Sequence, residues 1–133
     1  MSKIIIKTDN APAPIGPYNQ AVKAGNLLFV SGQIALDPAT GELVNNDIEE
    51  EANQVMKNIS AILEEAGAGF EHIVKTTIFL SDMSLFAQVN EIYGNYFIHE
   101  VSGHTVDFPA RETVAVKGLP KNVNVEISVT AFL

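Results

Sequence analysis

Apolar and polar positions along this chain recur with two periods, and the switches between them predict the order of its elements. Lys3 to Lys7 is a short isoleucine-rich strand. In Ala11-Pro12-Ala13-Pro14-Ile15-Gly16-Pro17 the fixed φ angles and missing amide donors predict an extended arm, ending at Tyr18. Asn19 to Ala24 and Leu27 to Ile34 read as strands around a tight Gly25-Asn26 turn. In the second of these Leu28, Val30, Gly32 and Ile34 alternate with Leu27, Phe29, Ser31 and Gln33, and Ser31-Gly32-Gln33 breaks an otherwise apolar run. Asp37 to Glu42 is a turn by its Pro, Thr and Gly content. The period then changes. Ile48, Ala52, Val55, Met56, Ile59, Ile62, Leu63 and Ala66 form one helical stripe, capped by Asn46 or Asp47 and stopped at Gly67. Glu49, Glu50 and Glu51 open that helix with the sign that opposes its dipole.

Ile73 to Leu80 is β-branched and alternating, so it reads as a strand. Ser81 or Asp82 caps a second helix carrying Leu85, Phe86, Val89, Tyr93 and Phe97, weakened but not ended by Gly94. His99 to Phe108 is a loop. Pro109 to Phe132 reads as two strands joined at Gly118-Leu119-Pro120-Lys121-Asn122, a hairpin or its near equivalent. Arg111, Thr113 and Ala115 share a face of the first, opposite Val114 and Val116. Val123, Val125, Ile127, Val129 and Ala131 form the apolar side of the second, opposite Asn124, Glu126, Ser128, Thr130 and Phe132. On the hairpin reading Arg111 and Glu126 look into one space, the arginine clamping a small carboxylate and the glutamate handling a proton or a water. The expected architecture is α+β, one domain over residues 1–133, with two helices on one face of a sheet of five or six strands. The other face, carrying Phe29 and Phe132, calls for a partner. A homo-oligomer with packed sheet faces and pockets between subunits answers it.

Composition narrows the chemistry. The chain has 133 residues and a net charge of −8, which argues against a nucleic-acid partner because phosphate neutralisation requires clustered Lys and Arg. No apolar run approaches the length of a membrane span, and Ile4-Ile5-Ile6 is too short for a signal peptide, so no membrane partner is expected and the cytoplasm is the expected compartment. Without cysteine there is no disulfide framework and no thiol nucleophile. His72, His99 and His104 lack metal-ligand spacing and read as surface residues, and Gly67 and Gly69 follow a helix instead of opening one, so no metal site and no phosphate loop is expected.

Each candidate has a plainer reading. An arginine on a sheet face is most often an exposed salt bridge, yet its planar fork also suits a carboxylate in a way lysine does not. Glu126 reads most simply as an ion-pair partner for Arg111 or Lys117, and as a proton carrier only if burial raises its pKa. Thr113 is either a strand-former or a hydrogen-bond donor beside Arg111. Ser31 lacks a nucleophile setting, so its role would be a hydrogen bond to ligand. Tyr18 either packs or overhangs a pocket. Asn90, on the inner helical stripe, needs a partner and reads as fixing a loop, with contact to a ligand as the lesser alternative.

Ile15-Gly16-Pro17-Tyr18, Val30-Ser31-Gly32-Gln33-Ile34, Asp37 to Glu42, Val89-Asn90-Glu91, Pro109-Ala110-Arg111, Leu119-Pro120-Lys121 and Val125-Glu126-Ile127 together resemble the Rid (YjgF) family nearly end to end. The resemblance implies a chorismate-mutase-like mixed sheet, a homotrimer with its sheets around a central barrel and three clefts between subunits, and deamination of enamines and imines such as 2-aminoacrylate and 2-aminocrotonate to 2-oxo acids and ammonia. It implies that Arg111 binds the substrate carboxylate and Glu126 assists the attacking water. Tyr18, Ser31, Gly32, Asn90 and Thr113 would line the cleft, and no cofactor is implied. The alternatives are a non-catalytic carboxylate sensor and a chaperone-like protein. The chain departs from the family pattern at Glu112, where a small residue is usual, at Thr113, where cysteine is frequent, and in a longer Phe97–Pro109 connection. Alternation predicts that Glu112 points away from Arg111.

Overall fold

A computed structural model describes residues 2–98 and 101–133, so the predicted surface position of His99 lies outside the described residues. Among the described residues six strands and two α-helices follow in order: β1 (Ile4–Ile6), β2 (Ala21–Ala24), β3 (Leu27–Gln33), α1 (Ile48–Glu65), β4 (Ile73–Leu80), α2 (Phe86–Asn95), β5 (Ala110–Ala115) and β6 (Val125–Phe132). Local chemistry sets several of the boundaries. Gly25, at φ 60°, turns the chain between β2 and β3. Asp47 caps α1 by accepting from the Glu50 amide at 2.7 Å, and Gly67 follows its end at φ 75°. Asp82 caps a short 3-10 turn over Met83–Leu85, and α2 itself begins one residue later.

The six strands form one sheet in the order β1-β2-β3-β6-β4-β5. The predicted hairpin does not exist: β4 lies between β5 and β6, pairing parallel with β5 and antiparallel with β6. The reason is burial. Val125, Ile127, Val129 and Ala131 of β6 are all buried, and the centre of the sheet is where that row is covered, whereas β5 is largely exposed and suits the edge. The β4–α2–β5 segment is then a strand, crossover helix and parallel strand, which leaves α2 against the sheet face over which it crosses.

Both helices cover one face. Leu28, Val30, Ile78, Leu80, Val125 and Ile127 meet Val55, Met56, Ile59 and Ile62 of α1 and Val89 and Tyr93 of α2 in a continuous core. Each such aliphatic side chain contributes about 1.5–3 kcal/mol by leaving water. The opposite face is open, with Phe29 46% and Phe132 55% exposed beside Leu27. No described helix is long and apolar enough to cross a membrane.

Candidate functional site

Arg111 is the second residue of β5 and is in register with Thr76 of β4, a fully buried position on the helix-covered face. Its guanidinium carbon lies 5.2 Å from the ring centroid of Tyr93 and 5.8 Å from that of Phe86, both on α2. Such contacts stabilise a cation by about 0.5–2 kcal/mol and cover its face while leaving its edge N–H groups available. Tyr93 is itself anchored, its hydroxyl donating to Thr76 Oγ1 at 2.8 Å. Burial pushes the Tyr93 phenol above its ordinary pKa, against the lowering influence of Thr76 and Arg111, which keeps it a neutral donor. Among the described residues Arg111 forms no ion pair, so the surface salt bridge that was its plainer reading is absent. Glu112 does point away, as alternation predicts: it pairs with Lys75 at 2.8 Å and accepts from Thr77 on the opposite face. Those two partners hold its carboxyl below the usual range.

Two more polar groups beside Arg111 lack protein partners among the described residues. Thr113 Oγ1 is buried without a hydrogen bond, a situation that costs about 1–3 kcal/mol unless a ligand or water relieves it. Asn90 lines a hollow together with Arg111, and among the described residues its amide bonds to no loop, contrary to the expectation that it fixes one. The hollow, of about 290 Å³, is lined by Asn90, Tyr93, Gly94, Phe108, Pro109 and Arg111.

Glu126 belongs to a second hollow. In β6 it is opposite Phe79, three residues beyond Thr76 along β4. Since three is odd, Glu126 and Arg111 emerge on opposite faces of the sheet. Two strand spacings and three residue rises place their Cα atoms roughly 14 Å apart. The expectation that they look into one space within the chain is therefore overturned, and one small acid cannot reach both.

Tyr18, Gly32 and Glu126 line that second hollow together with the proline arm and Pro120. A bulge in β3 builds it: Ser31 and Gly32 interrupt the register between Val30, opposite Val129, and Gln33, opposite Ile127. The bulge reverses the phase of the strand, sending Gln33 into the buried layer and bringing Gly32 against Glu126. A Cβ on residue 32 would lie only 2.8 Å from Glu126 Cδ, so glycine is what lets the carboxylate rest on the backbone. Burial pushes the Glu126 carboxyl above its usual pKa. Ser31 donates to the Asn19 carbonyl at 2.6 Å, leaving only its lone pairs for a ligand. Tyr18 accepts from the Ile15 amide at 3.2 Å, which folds its ring back along its own arm.

Three supporting residues have no motif to announce them. Gln20, buried, accepts from Thr8 N at 2.8 Å and donates to the carbonyls of Thr8, Ala11 and Pro12, clasping the arm to the sheet. Glu51, fully buried, accepts from Asn124 N at 2.7 Å, Asn124 Nδ2 at 3.0 Å and Val125 N at 3.2 Å, fixing the backbone next to Glu126. Tyr93, together with Phe86, reads in the sequence as ordinary core. The signal for the aromatic pair is the strand-helix-strand order, which brings the start of β5 against α2.

The profile of the family described as Endoribonuclease L-PSP matches residues 8–133. A protein of the conserved Rid family from Yersinia pestis superposes with a TM-score of 0.91 at 49% identity, over 99% of this chain and 100% of that one. TdcF of E. coli, solved with bound serine, gives a TM-score of 0.89 at 39% identity over 98% of each chain. In sequence, the chloroplastic Reactive Intermediate Deaminase A of Arabidopsis thaliana is 44% identical over 133 residues, all of this chain and 67% of that protein. By profile, sequence and superposition alike, the chain belongs to the Endoribonuclease L-PSP family, the family of the YjgF and Rid proteins.

Proposed function

We propose that this protein hydrolyses reactive enamines and imines, 2-aminoacrylate and 2-aminocrotonate with their 2-iminopropanoate and 2-iminobutanoate tautomers, to 2-oxo acids and ammonia in the cytoplasm. The carrying observation is the Arg111 guanidinium, stacked over two rings, free of any acidic partner among the described residues and next to the unpartnered Thr113 hydroxyl. In this reading Arg111 binds the carboxylate bidentately, each charge-assisted bond contributing about 1.5–3 kcal/mol. Glu126 takes a proton from water as the oxygen attacks C2 of the imine and delivers it to the imine nitrogen, giving a carbinolamine. It then takes the proton of the new hydroxyl and passes it to the amine, so that the C–N bond breaks and ammonia leaves as the C=O bond forms. Its raised pKa suits a group that must carry a proton both ways. Tyr18, Ser31, Gly32, Asn90 and Thr113 complete the cleft. An imine is already electrophilic, so orientation against a water suffices for a useful rate.

Because the two hollows sit on opposite faces of one chain, this chemistry needs a second copy. We infer a homotrimer in which the open sheet face, with Leu27, Phe29 and Phe132, is covered, and in which Arg111 of one chain approaches Glu126 of the next. The small amino acid bound by E. coli TdcF and the deaminase name of the Arabidopsis relative support a small amino-acid-like substrate. An RNA substrate is disfavoured by the net charge of −8.

The test generates 2-aminoacrylate in situ with excess serine dehydratase and follows imine decay. Micromolar protein should accelerate it, and Arg111→Ala and Glu126→Ala should each remove the acceleration. If decay is unchanged but small carboxylates bind in an Arg111-dependent manner, the protein is a sensor or scavenger instead.

A further inference from the structure

Gly94 follows Asn90 by one helical turn on α2 and lines the hollow beside Arg111. Within the chain neither backbone nor packing requires a glycine at this position. Its φ is not in the left-handed region, it lies inside a helix where alanine is the better former, and a Cβ placed on it meets no neighbouring atom within 4 Å. Gly32 is the opposite case, crowded by Glu126. What the missing side chain of Gly94 leaves is space next to the guanidinium. In the single chain the hollow, of about 290 Å³, is larger than the hydrocarbon part of a three- or four-carbon acid. Tyr93, Phe108 and Pro109 give it an apolar wall, and Phe108 is exposed at the edge.

Resting on the reading of Arg111 as carboxylate holder, we propose that Gly94 is a specificity-determining residue whose missing side chain admits 2-imino acids with branched or aromatic side chains. A hydrophobic pocket discriminates by about 10–200-fold per methylene, so side chains of graded size at 94 should produce a graded effect.

Gly94→Ala and Gly94→Leu are tested in the full-length protein with imines released from alanine, leucine and phenylalanine by an amino-acid oxidase. The ratio of kcat/KM for the leucine-derived imine to that for the alanine-derived imine should fall at least tenfold in Gly94→Leu and less in Gly94→Ala. Melting temperatures equal to or above that of the parent, as helix propensity predicts, exclude loss of fold as the cause. A ratio within twofold of the parent value in both variants overturns the proposal. Binding of 4-methylpentanoate against propanoate, followed by NMR titration, supplies a readout independent of turnover. If that affinity ratio shifts tenfold in Gly94→Leu while neither imine is hydrolysed, the deaminase reading fails and the role of Gly94 stands. An unchanged ratio removes Gly94 even if turnover is found.

Discussion

At the scale of single residues, the chemistry depends on contacts that glycine and burial make possible. The Glu126 carboxylate lies where a Cβ on residue 32 would be, and it is the flexible end of its side chain that must yield in Gly32→Ala. That variant should keep its melting temperature within about 2 °C of the parent while losing at least tenfold in kcat, with Arg111-dependent carboxylate binding retained. Loss of folding instead would show that the bulge itself, not the carboxylate, requires glycine. The raised pKa of Glu126 makes a second prediction whose sign follows from linkage. A carboxyl that binds its proton more tightly folded than unfolded destabilises the fold as pH rises from the unfolded pKa through the folded one. Glu126→Gln should therefore raise the melting temperature at pH 7 by roughly 1–3 °C, modestly because the group is only half-buried, and the gain should vanish below about pH 4. A scan of melting temperature against pH for both proteins checks it. In the sequence Glu126 was visible as a residue on the polar side of its strand; its resting place on the β3 backbone was not, because a bulge shifts the phase that alternation assumes.

Among the elements, α1 does more than cover the sheet. Glu51 reads in the sequence as one of three acidic residues favouring a helix start, and Glu49 and Glu50 fit that account. Glu51 instead turns inward, fully buried, and satisfies the amides of Asn124 and Val125 where β6 begins. Glu51→Ala would strand two backbone N–H groups, each at about 1–3 kcal/mol, so urea denaturation should show a loss of about 2–6 kcal/mol. Glu51→Gln, which keeps an acceptor, should lose less than half of that. Equal losses would mean that charge, not hydrogen bonding, is what the position supplies. The same segment feeds Glu126, so the link between helix and strand carries from stability to the candidate site. Helix periodicity located Glu51 one residue before the apolar Ala52 but could not say whether its side chain meets water or a neighbouring strand.

For the whole molecule, the separation of Arg111 and Glu126 onto two faces has a direct experimental consequence. If each site takes its arginine from one chain and its glutamate from another, neither Arg111→Ala nor Glu126→Ala protein is active alone, yet a refolded one-to-one mixture should recover about a quarter of parental activity through sites with both residues intact. No recovery would rule out a site that joins Arg111 of one chain to Glu126 of another. The parent should elute with a mass near three times its 14.3 kDa chain mass. A charge at Phe29, on the exposed face, should reduce that mass and the activity together, since the covered face and the assembled site are one feature in this reading.

The sequence by itself determined the order of the elements, the caps and stops of α1, the alternation within the strands other than at the β3 bulge and the polar residues worth weighing, because each of these depends on residues a few positions apart. The order of strands in the sheet was decided only in three dimensions. Inserting β4 between β5 and β6 is a choice among long-range pairings, made by the burial of the β6 apolar row and the crossover of α2. Parity within a strand is local, but parity between strands exists only once their register is set, and that register put the guanidinium and the carboxylate on opposite sides of the sheet.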